Sequence, residues 1–390
     1  MDGFPTTRVP SDESAPLRLE ELMRELASKA SALRFQVAPN PCVGAAILSR
    51  EVEIGRGFHT RWGGPHAEVH ALAAATTGGI EPSAWDTLVV TLEPCSSVGK
   101  TPACVDAILE TSIERVVVGA VDPDPRHKGE GLERLRAAGL NVELLPVAPL
   151  HEVAPHFLRW VDVDRVRRPR PWAIAKWAQT RTGQLTPPEN VGDGRWISGP
   201  ESRVDVHRLR GGCDAIVTGI GTVRADNPRL TVRAPAQARR VPLRCVLDSE
   251  LMLSTDARLF ETEREEGEVG GDVVVFCRAG ASPARHRALT ARGAEVIPVR
   301  LGDDGRLSLR DVAALLWDRG VRRMLLEAGP TLLDAWFQAH LGDQLAVYTG
   351  DVNGGRGPSL ATWLESRRLE GSMWREIGSD SVLEAFVRPA

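Results

Sequence analysis

Apolar residues recur at helical spacing near the start of the chain. Leu19, Leu22, Met23, Leu26 and Ala30 fall three or four positions apart within residues 17–33. Positions three and four apart share one face of an α-helix. The pattern therefore predicts an amphipathic helix that lies on a sheet.

Short apolar runs alternate with helical patterns up to about residue 148. A turn leading into a strand is predicted at 39–49, further strands at 51–58, 115–122 and 141–146, and a buried strand at 87–95. Helices are predicted at 66–77, 102–112 and 129–139. This alternation is typical of a layered α/β domain. Gly55 and Gly57 in the second strand predict a bulge or a close backbone approach. Residues 149–168 are predicted to form a linking helix followed by a basic, proline-bearing boundary.

The second half repeats the α/β pattern without the motifs of the first. Strands are predicted at 172–179, 214–223, 243–249, 272–277, 295–299, 322–329 and 343–349, and helices at 200–210, 282–292, 308–319 and 331–340. The final run, residues 381–388, is predicted to be an edge strand. We therefore expect a first domain over residues 17–148 and a second over 169–390.

Composition adds limits to this picture. A chain of 390 residues is long for one core, and 42% hydrophobic with 26% charged residues is usual for a globular protein. A net charge of −4 argues against a dedicated nucleic-acid binder. No apolar run reaches transmembrane length, and residues 1–16 have the composition of a disordered lead-in without a signal-peptide core. Six scattered cysteines do not make a disulfide framework, so we expect a cytoplasmic protein.

One stretch, from His66 to Cys104, carries the residue types of a catalytic zinc site. His66, Cys95 and Cys104 can supply three ligands, and a catalytic zinc site keeps its fourth position for water. Glu68 lies two residues after His66, where the glutamate of zinc deaminases acts as the acid/base. Eight residues separate the two cysteines, whereas the general deaminase signature has two. The combination predicts a zinc-activated water with Glu68 as its proton shuttle.

Two other interpretations remain open for this stretch. The cysteines could be ordinary buried thiols. A closed structural zinc site would need a fourth protein ligand, for which His70, one helical turn after His66, is the candidate. A histidine that packs the helix is the simpler role for His70.

The chain resembles a known family at this point. The motifs PNPCVG, GGPHAEVHAL and TLEPCSSVGKTPAC are similar to the deaminase half of the bifunctional riboflavin-biosynthesis enzymes. KWAQTRTGQ, GRWISGPESR, GIGTVRADNPRLTVR and LLEAGPTL follow in the order of the reductase half. The resemblance implies a cytidine-deaminase-like three-layer domain with a mixed sheet, followed by a dihydrofolate-reductase-like α/β domain. It covers residues from about 20 to the C-terminus.

The resemblance also implies an activity and a set of site residues. The activity is zinc-dependent deamination of 2,5-diamino-6-(5-phosphoribosylamino)pyrimidin-4-one, then NADPH reduction of the ribosyl group to a ribityl chain. The implied substrate contacts are Asn40, His59, Lys100, Lys176, Ser198, Arg210, Leu230, Arg233 and Glu327. The implied cofactor contacts are Trp196, Gly219, Gly221, Thr222, Gly329, Pro330 and Thr331. Asp226 is implied as a catalytic residue of the reductase, although Glu327 could also assist a proton.

The residues alone support only part of the reductase assignment. The Gly329–Thr331 turn opens a helix, whose free N–H groups can hold a phosphate, but it could equally be an ordinary turn capped by Thr331. GIGTVR lacks the third glycine of the dinucleotide fingerprint, since Arg224 occupies that position. Asp226 could be an Asx-turn residue.

Three functions therefore stay in view. The first is the riboflavin-pathway enzyme, acting on a small phosphoribosyl pyrimidine as a homo-oligomer. Its alternative is a paralogue in a secondary-metabolite pathway, since Ser97 and Asp124 replace residues usual in the family. A nucleic-acid-editing deaminase is disfavoured by the cysteine spacing, and a non-catalytic zinc protein would need four protein ligands.

Overall fold

The computed structural model describes residues 19–97, 103–125, 127–162, 170–189, 196–234, 236–261 and 266–388. Expectations for the lead-in, Lys100 and the basic boundary fall outside these residues. The chain divides into two compact units, Met1–Val166 and Arg167–Ala390.

The first unit is built on one mixed sheet of five strands. Its strands are β1 (Gly44–Ser49), β2 (Val52–Phe58), β3 (Thr87–Val90), β4 (Arg115–Val118) and β5 (Asn141–Leu144), in the order β2-β1-β3-β4-β5. Strand β1 is antiparallel to both of its neighbours, while β3, β4 and β5 run parallel. The described helices are α1 (Leu19–Ser31), α2 (Arg34–Val37), α3 (Ala67–Thr77), α4 (Cys104–Leu109), α5 (Glu130–Ala137), α6 (Leu150–Val153) and α7 (Pro155–Val161).

Helices cover both faces of this sheet. Alternate residues of β1 divide between them: Ala45 and Ile47 pack with the apolar side chains of α3, α4 and α5, and Ala46 and Leu48 pack with those of α1. Successive side chains of a strand point to opposite faces, so this division makes three layers. The predicted amphipathic helix and the three-layer fold are confirmed.

Glycines bring α3 unusually close to the sheet. The pairing of β1 with β2 shifts register between Ile47 and Leu48, opposite Gly55. A Cβ added at Gly55 or Gly57 would lie within 2.5 Å of backbone atoms of α3. The bulge and the close approach expected from these glycines are both present, and they fix the start of α3 over the sheet edge.

Two expectations for this unit were wrong in detail. Strand β3 ends at Val90, so Cys95 lies in the following loop and not at a strand end. The predicted linking helix is two short helices, α6 and α7, which meet at Ala154. Val153, Ala154 and Phe157 pack into a cluster with side chains of α1 and the loop before β1. These helices therefore belong to the core of the first unit.

The second unit contains a nine-stranded sheet. Its strands are β6 (Trp172–Gln179), β8 (Ala215–Gly219), β9 (Leu243–Leu247), β10 (Val273–Arg278), β11 (Ala294–Val299), β12 (Arg323–Leu326), β13 (Gln344–Thr349), β15 (Leu369–Ile377) and β16 (Asp380–Val387). A separate pair joins β7 (Gln184–Thr186) to β14 (Arg356–Ser359). The helices are α8 (Pro200–Gly211), α9 (Ile220–Asp226), α10 (Pro283–Ala291), α11 (Leu309–Asp318), α12 (Pro330–Gln338) and α13 (Ala361–Glu365).

The order of the strands reverses in the middle of the sheet. Read across the sheet, the order is β11-β10-β9-β8-β12-β6-β13-β16-β15, and the seven strands from β11 to β13 are parallel. After β6 the chain forms β8 to β11 on one side of the sheet. It then returns through β12, beside β6, and forms β13, β16 and β15 on the other side. In parallel α/β sheets, ligands bind outside the carboxyl ends of strands at such a reversal.

Two expectations for this unit need correction. Residues 220–226 form helix α9 and do not continue strand β8. Strand β16 is not an edge strand, because it pairs with β13 on one side and with β15 on the other. Strand β15 itself was not predicted.

Among the described residues, no helix is both long and apolar enough to cross a lipid bilayer.

Candidate active sites

Three sulfur and nitrogen donors converge at the start of α3. His66, Cys95 and Cys104 each offer one ligand atom, and these atoms all lie within 4.8 Å of one another. His66 Nδ1 is 3.2 Å from Cys104 Sγ and 3.5 Å from Cys95 Sγ. Imidazole and two thiolates are preferred zinc ligands, and donors about 3.5 Å apart suit tetrahedral bonds of about 2.0–2.3 Å. The donor set therefore fits a zinc ion.

Local backbone structure sets this arrangement. His66 is the extended residue that precedes α3, and Cys104 is the first residue of α4. The Cys104 N–H donates to Cys95 Sγ at 3.3 Å, and the Val105 N–H donates to the Cys95 carbonyl. The start of α4 thus holds the Cys95 loop in place.

The two thiols differ in how readily they lose a proton. Hydrogen bonding from Cys104 lowers the pKa of Cys95 to about 4, and the same pairing raises the pKa of Cys104. Metal binding requires both thiolates and therefore displaces the proton that they share.

Glu68 lies in the first turn of α3 and is only 3% exposed. Burial raises its pKa, against the attraction of His66. A carboxyl of raised pKa beside a metal site suits proton transfer. His70 is not part of the donor cluster found among the described residues, and its buried Nε2 has no hydrogen-bond partner there.

The two other described substrate candidates of the first unit contact each other. His59 Nε2 lies 3.3 Å from Asn40 Nδ2, and His59 Nδ1 lies 3.0 Å from the Pro65 carbonyl. Burial lowers the pKa of His59 to about 4, so its ring is neutral at pH 7. The rings of His59 and His66 pack edge to face with centroids 5.4 Å apart.

Glu93 is a buried carboxylate that sequence reasoning missed. Its two oxygens accept backbone N–H groups of Asp122, Gly129 and Gly131 at 2.9–3.0 Å. It therefore ties the loop after β4 to the chain just before Cys95. The sequence feature that could have identified Glu93 is its position next to Pro94, between a buried strand and a predicted zinc ligand.

In the second unit, charged residues gather where β12 ends beside the middle of β6. Ala175 of β6 pairs with Leu326 of β12. Lys176 and Glu327 are the next residue on each of these two neighbouring chains. Arg210 of α8 binds Glu327 through two hydrogen bonds, of 2.6 and 2.9 Å, and donates a third to the Thr231 carbonyl. Arg210 thus gives its Nε and both Nη atoms to protein acceptors.

The pKa values separate the two carboxyls of this cluster. Burial alone would raise the pKa of Glu327, but the charges of Arg210 and Lys176 outweigh it and lower the pKa to about 2. Burial raises the pKa of Asp226, against the attraction of Lys176. Burial also lowers the pKa of Lys176, while Glu327 and Asp226 oppose this. Glu327 is therefore a fixed carboxylate, whereas the pKa of Asp226 lies above its usual value.

Arg233 and Leu230 differ in what they can offer a ligand. Arg233 donates its Nε to Glu268 at 3.1 Å, and among the described residues its Nη groups have no partner. Leu230 has a φ of +52° and packs its side chain in the core, 3% exposed. Only the backbone of Leu230 can face a substrate.

Two turns predicted to contact the cofactor lie side by side. The Gly329 N–H donates to Thr222 Oγ1 at 3.2 Å, which joins the start of α12 to the start of α9. A Cβ added at Gly221 would meet nothing within 4 Å, and one at Gly329 only Thr222 Oγ1 at 3.9 Å. This open cradle at the N-terminus of α12 fits a phosphate of a dinucleotide.

Among the described residues, no hydrogen bond or ring contact joins Trp196 or Ser198 to these turns. The Trp196 ring is 55% exposed, with the Arg203 guanidinium 5.1 Å from its centroid. The Ser198 carbonyl accepts from Arg203 at 3.2 Å.

His207 of α8 is a second residue that sequence reasoning missed. Its buried Nδ1 has no hydrogen-bond partner among the described residues. Burial, followed by the charges of Arg210 and Arg233, lowers the pKa of His207 to about 4. The sequence feature that could have identified it is its position one helical turn before Arg210.

This histidine predicts a pH dependence of stability. In the unfolded chain His207 titrates near pH 6.5, so from pH 6.5 down to pH 4 the unfolded state alone takes up the proton. The stability of the second unit should fall over this window by up to about 3 kcal/mol on account of His207, and His207→Gln should remove that loss. Hydrogen exchange of second-unit peptides at pH 7, 5.5 and 4.5 measures it. The exposed His286→Gln is the control, and equal pH profiles for wild type and His207→Gln would contradict the prediction.

Known proteins match both units. The family model for the cytidine and deoxycytidylate deaminase zinc-binding region matches residues 17–120, and that for the RibD C-terminal domain matches residues 171–383. The riboflavin biosynthesis protein RibD of Escherichia coli is 36% identical over 81% of this chain and 83% of its own. That of Aquifex aeolicus is 32% identical over 86% of this chain and 87% of its own.

Solved structures agree over nearly the whole length. Acinetobacter baumannii RibD has a TM-score of 0.63 at 27% identity and covers 95% of this chain and 99% of its own. The diaminohydroxyphosphoribosylaminopyrimidine deaminase/5-amino-6-(5-phosphoribosylamino)uracil reductase from Thermotoga maritima has a TM-score of 0.63 at 28% identity and covers 96% and 100%.

These matches cover the two halves in the order expected from the motifs. They confirm both expected domain folds, a deaminase joined to a reductase, and zinc and NADPH as the cofactors. They favour riboflavin biosynthesis over a paralogue in another pathway. The chain belongs to the RibD family of riboflavin biosynthesis proteins.

Proposed function

We propose that this enzyme deaminates 2,5-diamino-6-(5-phosphoribosylamino)pyrimidin-4-one in its first unit and reduces the ribosyl group of the product in its second. The observation that carries the proposal is the convergence of His66, Cys95 and Cys104 beside the buried Glu68. The activities in the name of the Thermotoga maritima protein support the choice of substrates.

In the deaminase site, His66, Cys95 and Cys104 would hold zinc, which supplies Lewis acidity and an activated water. Glu68 takes the proton of the attacking water and returns a proton to the departing nitrogen. The ring carbon loses its amino group as ammonia and gains the oxygen of the water as a carbonyl, so one water is consumed for each ammonia released. Asn40 and His59 contact the pyrimidine or the ribose phosphate, and Lys100 is assigned with them from the motif alone.

In the reductase site, bound NADPH would supply the hydride needed to reduce ribose C1 of the ring-opened sugar. Asp226 supplies the balancing proton, because the pKa of Glu327 is too low for that role at neutral pH. Glu327 instead accepts hydrogen bonds from sugar hydroxyls, and Lys176 lies beside it. Arg233 binds the phosphate with its Nη groups, since an arginine fork suits phosphate oxygens.

The contacts of the remaining residues follow the motifs. Ser198 and the backbone of Leu230 border the substrate, and Arg210 acts by holding Glu327. The cofactor lies along Trp196, Gly219, Gly221, Thr222, Gly329, Pro330 and Thr331. The open cradle beside Thr222 supports this arrangement.

Incubation of the purified protein with the diaminopyrimidine ribotide tests both steps. Ammonia should appear without NADPH, and NADPH should be oxidised only after deamination. Ammonia release without NADPH oxidation would contradict the reductase half. A zinc-loaded protein that releases no ammonia would contradict the proposed substrate.

Removal of one thiolate should empty the zinc site. We expect Cys104→Ser to lose most of its bound zinc, because a hydroxyl does not replace a thiolate ligand. Metal analysis of the purified variant measures this loss. Cys42→Ala, which alters a buried thiol outside the donor cluster, is the control and should keep its zinc. Full zinc in Cys104→Ser would place the metal elsewhere.

We further propose a cytoplasmic homo-oligomer that binds neither membranes nor nucleic acid. The family resemblance supports the oligomer, and the net charge of −4 supports the absence of a nucleic-acid partner. Light scattering of the full chain after size-exclusion chromatography tests the first point, and a monomer would contradict it.

A further inference from the structure

We infer that His156 is a positioning residue of the deaminase site, which holds Asn40 and His59 in their substrate-binding geometry. This inference rests on the proposed roles of Asn40 and His59. His156 belongs to α7, outside the residues that match the deaminase zinc-binding region.

The first link is a buried hydrogen bond between α7 and the loop before β1. His156 Nε2 lies 2.8 Å from the Asn40 carbonyl oxygen, and the His156 side chain is fully buried. A carbonyl only accepts, so Nε2 carries the proton and donates. Its neighbours Ala154 and Phe157 pack into the core of the unit, which fixes the ring relative to the loop.

The second link runs through the Asn40 side chain to His59. The Pro65 carbonyl accepts a hydrogen bond from His59 Nδ1 at 3.0 Å, so the neutral His59 ring presents an unprotonated Nε2. That nitrogen must accept from Asn40 Nδ2, 3.3 Å away. In this arrangement Asn40 Nδ2 faces His59, and Oδ1 is left to accept from a substrate N–H.

The third link reaches the metal site. Pro65 directly precedes His66, and the His59 ring packs edge to face against the His66 ring. A continuous path therefore runs from His156 through Asn40, His59 and Pro65 to a zinc ligand. Every hydrogen bond on this path has a defined donor and acceptor.

Loss of the first link should disturb substrate binding more than chemistry. Without the His156 donor, the Asn40 carbonyl loses its partner on α7, and a buried polar group left unsatisfied costs about 1–3 kcal/mol. The loop can relieve this only by moving, which turns the Asn40 amide away from its position. His66 and Glu68 at the start of α3 and Cys104 at the start of α4 stay in place.

Three substitutions at one position test the inference. We expect His156→Leu to raise the KM for the diaminopyrimidine ribotide about tenfold, with a smaller change in kcat. His156→Gln carries an amide N–H near the position of Nε2 and should restore KM to within about threefold, whereas His156→Asn, whose amide reaches only the Nδ1 position, should not.

The bifunctional chain supplies its own control. Reductase activity of the same preparations, measured with the deaminated ribotide and NADPH, should be unchanged, and bound zinc should stay at the wild-type level. His151→Leu, on the exposed side of α6, is the matched control and should behave as wild type.

The outcomes separate this inference from the proposed function. A wild-type KM in His156→Leu, together with an impaired Asn40→Ala, would overturn the role of His156 and leave that of Asn40 intact. An unimpaired Asn40→Ala would overturn the substrate role of Asn40, and the inference with it. Equal KM values for His156→Gln and His156→Asn would also overturn it, even if His156→Leu does not fold.

Discussion

Glu68→Gln should abolish deamination and spare reduction. The substitution keeps the size of the side chain and removes the group that moves protons. General acid–base catalysis contributes about 10²–10⁴-fold, so we expect kcat for ammonia release to fall by about that factor. Glu68 is fully buried in the first turn of α3, where an amide of the same shape can pack.

The design separates catalysis from metal binding and folding. Zinc content and NADPH oxidation with the deaminated ribotide should both match wild type. His70→Gln tests the closed-site interpretation, because a fourth protein ligand would be lost and zinc with it. We expect that variant to keep its zinc, since His70 lies outside the donor cluster. Ammonia release at the wild-type rate in Glu68→Gln would refute the proton-shuttle role.

The zinc donors were predictable from residue type and spacing, although the two cysteines lie 29 and 38 positions from His66. His66 directly precedes helix α3, Glu68 lies in the first turn of that helix, and Cys104 begins α4. Residue type and spacing therefore determine the donors before the tertiary fold is known. The expected strand end at Cys95 was wrong because Leu92 continues the apolar run of β3 beyond its last pairing at Val90.

The reductase cluster was less predictable because its contacts are distant in the chain. Arg210 and Glu327 are separated by 117 positions, and each alone looks like a solvated charge or a substrate ligand. Only the order of the strands brings the end of β12 beneath α8. Strand β8 and helix α9 form one apolar sequence run, so periodicity could not locate the boundary at Gly219.

Glu327→Gln should unfold the second unit more readily and also stop reduction. The substitution leaves the buried Arg210 without its carboxylate, and removal of one partner of a buried ion pair costs about 3–5 kcal/mol. Urea unfolding, followed by hydrogen exchange of second-unit peptides, measures that loss. Glu250→Gln is the matched control, because Glu250 binds Arg278 with the same two-bond geometry on the surface and should change stability far less.

A double substitution then separates the structural role of the pair from its role in the reaction. Replacement of a buried ion pair by apolar side chains of similar volume is often neutral or stabilising. Arg210→Met combined with Glu327→Met should therefore recover much of the stability lost in Glu327→Gln. NADPH oxidation should stay low in the double variant, because the Glu327 carboxylate proposed to bind the sugar hydroxyls is gone. If stability and reductase activity returned together, Glu327 would be only a structural partner of Arg210, and the sugar-binding role proposed for it would be wrong.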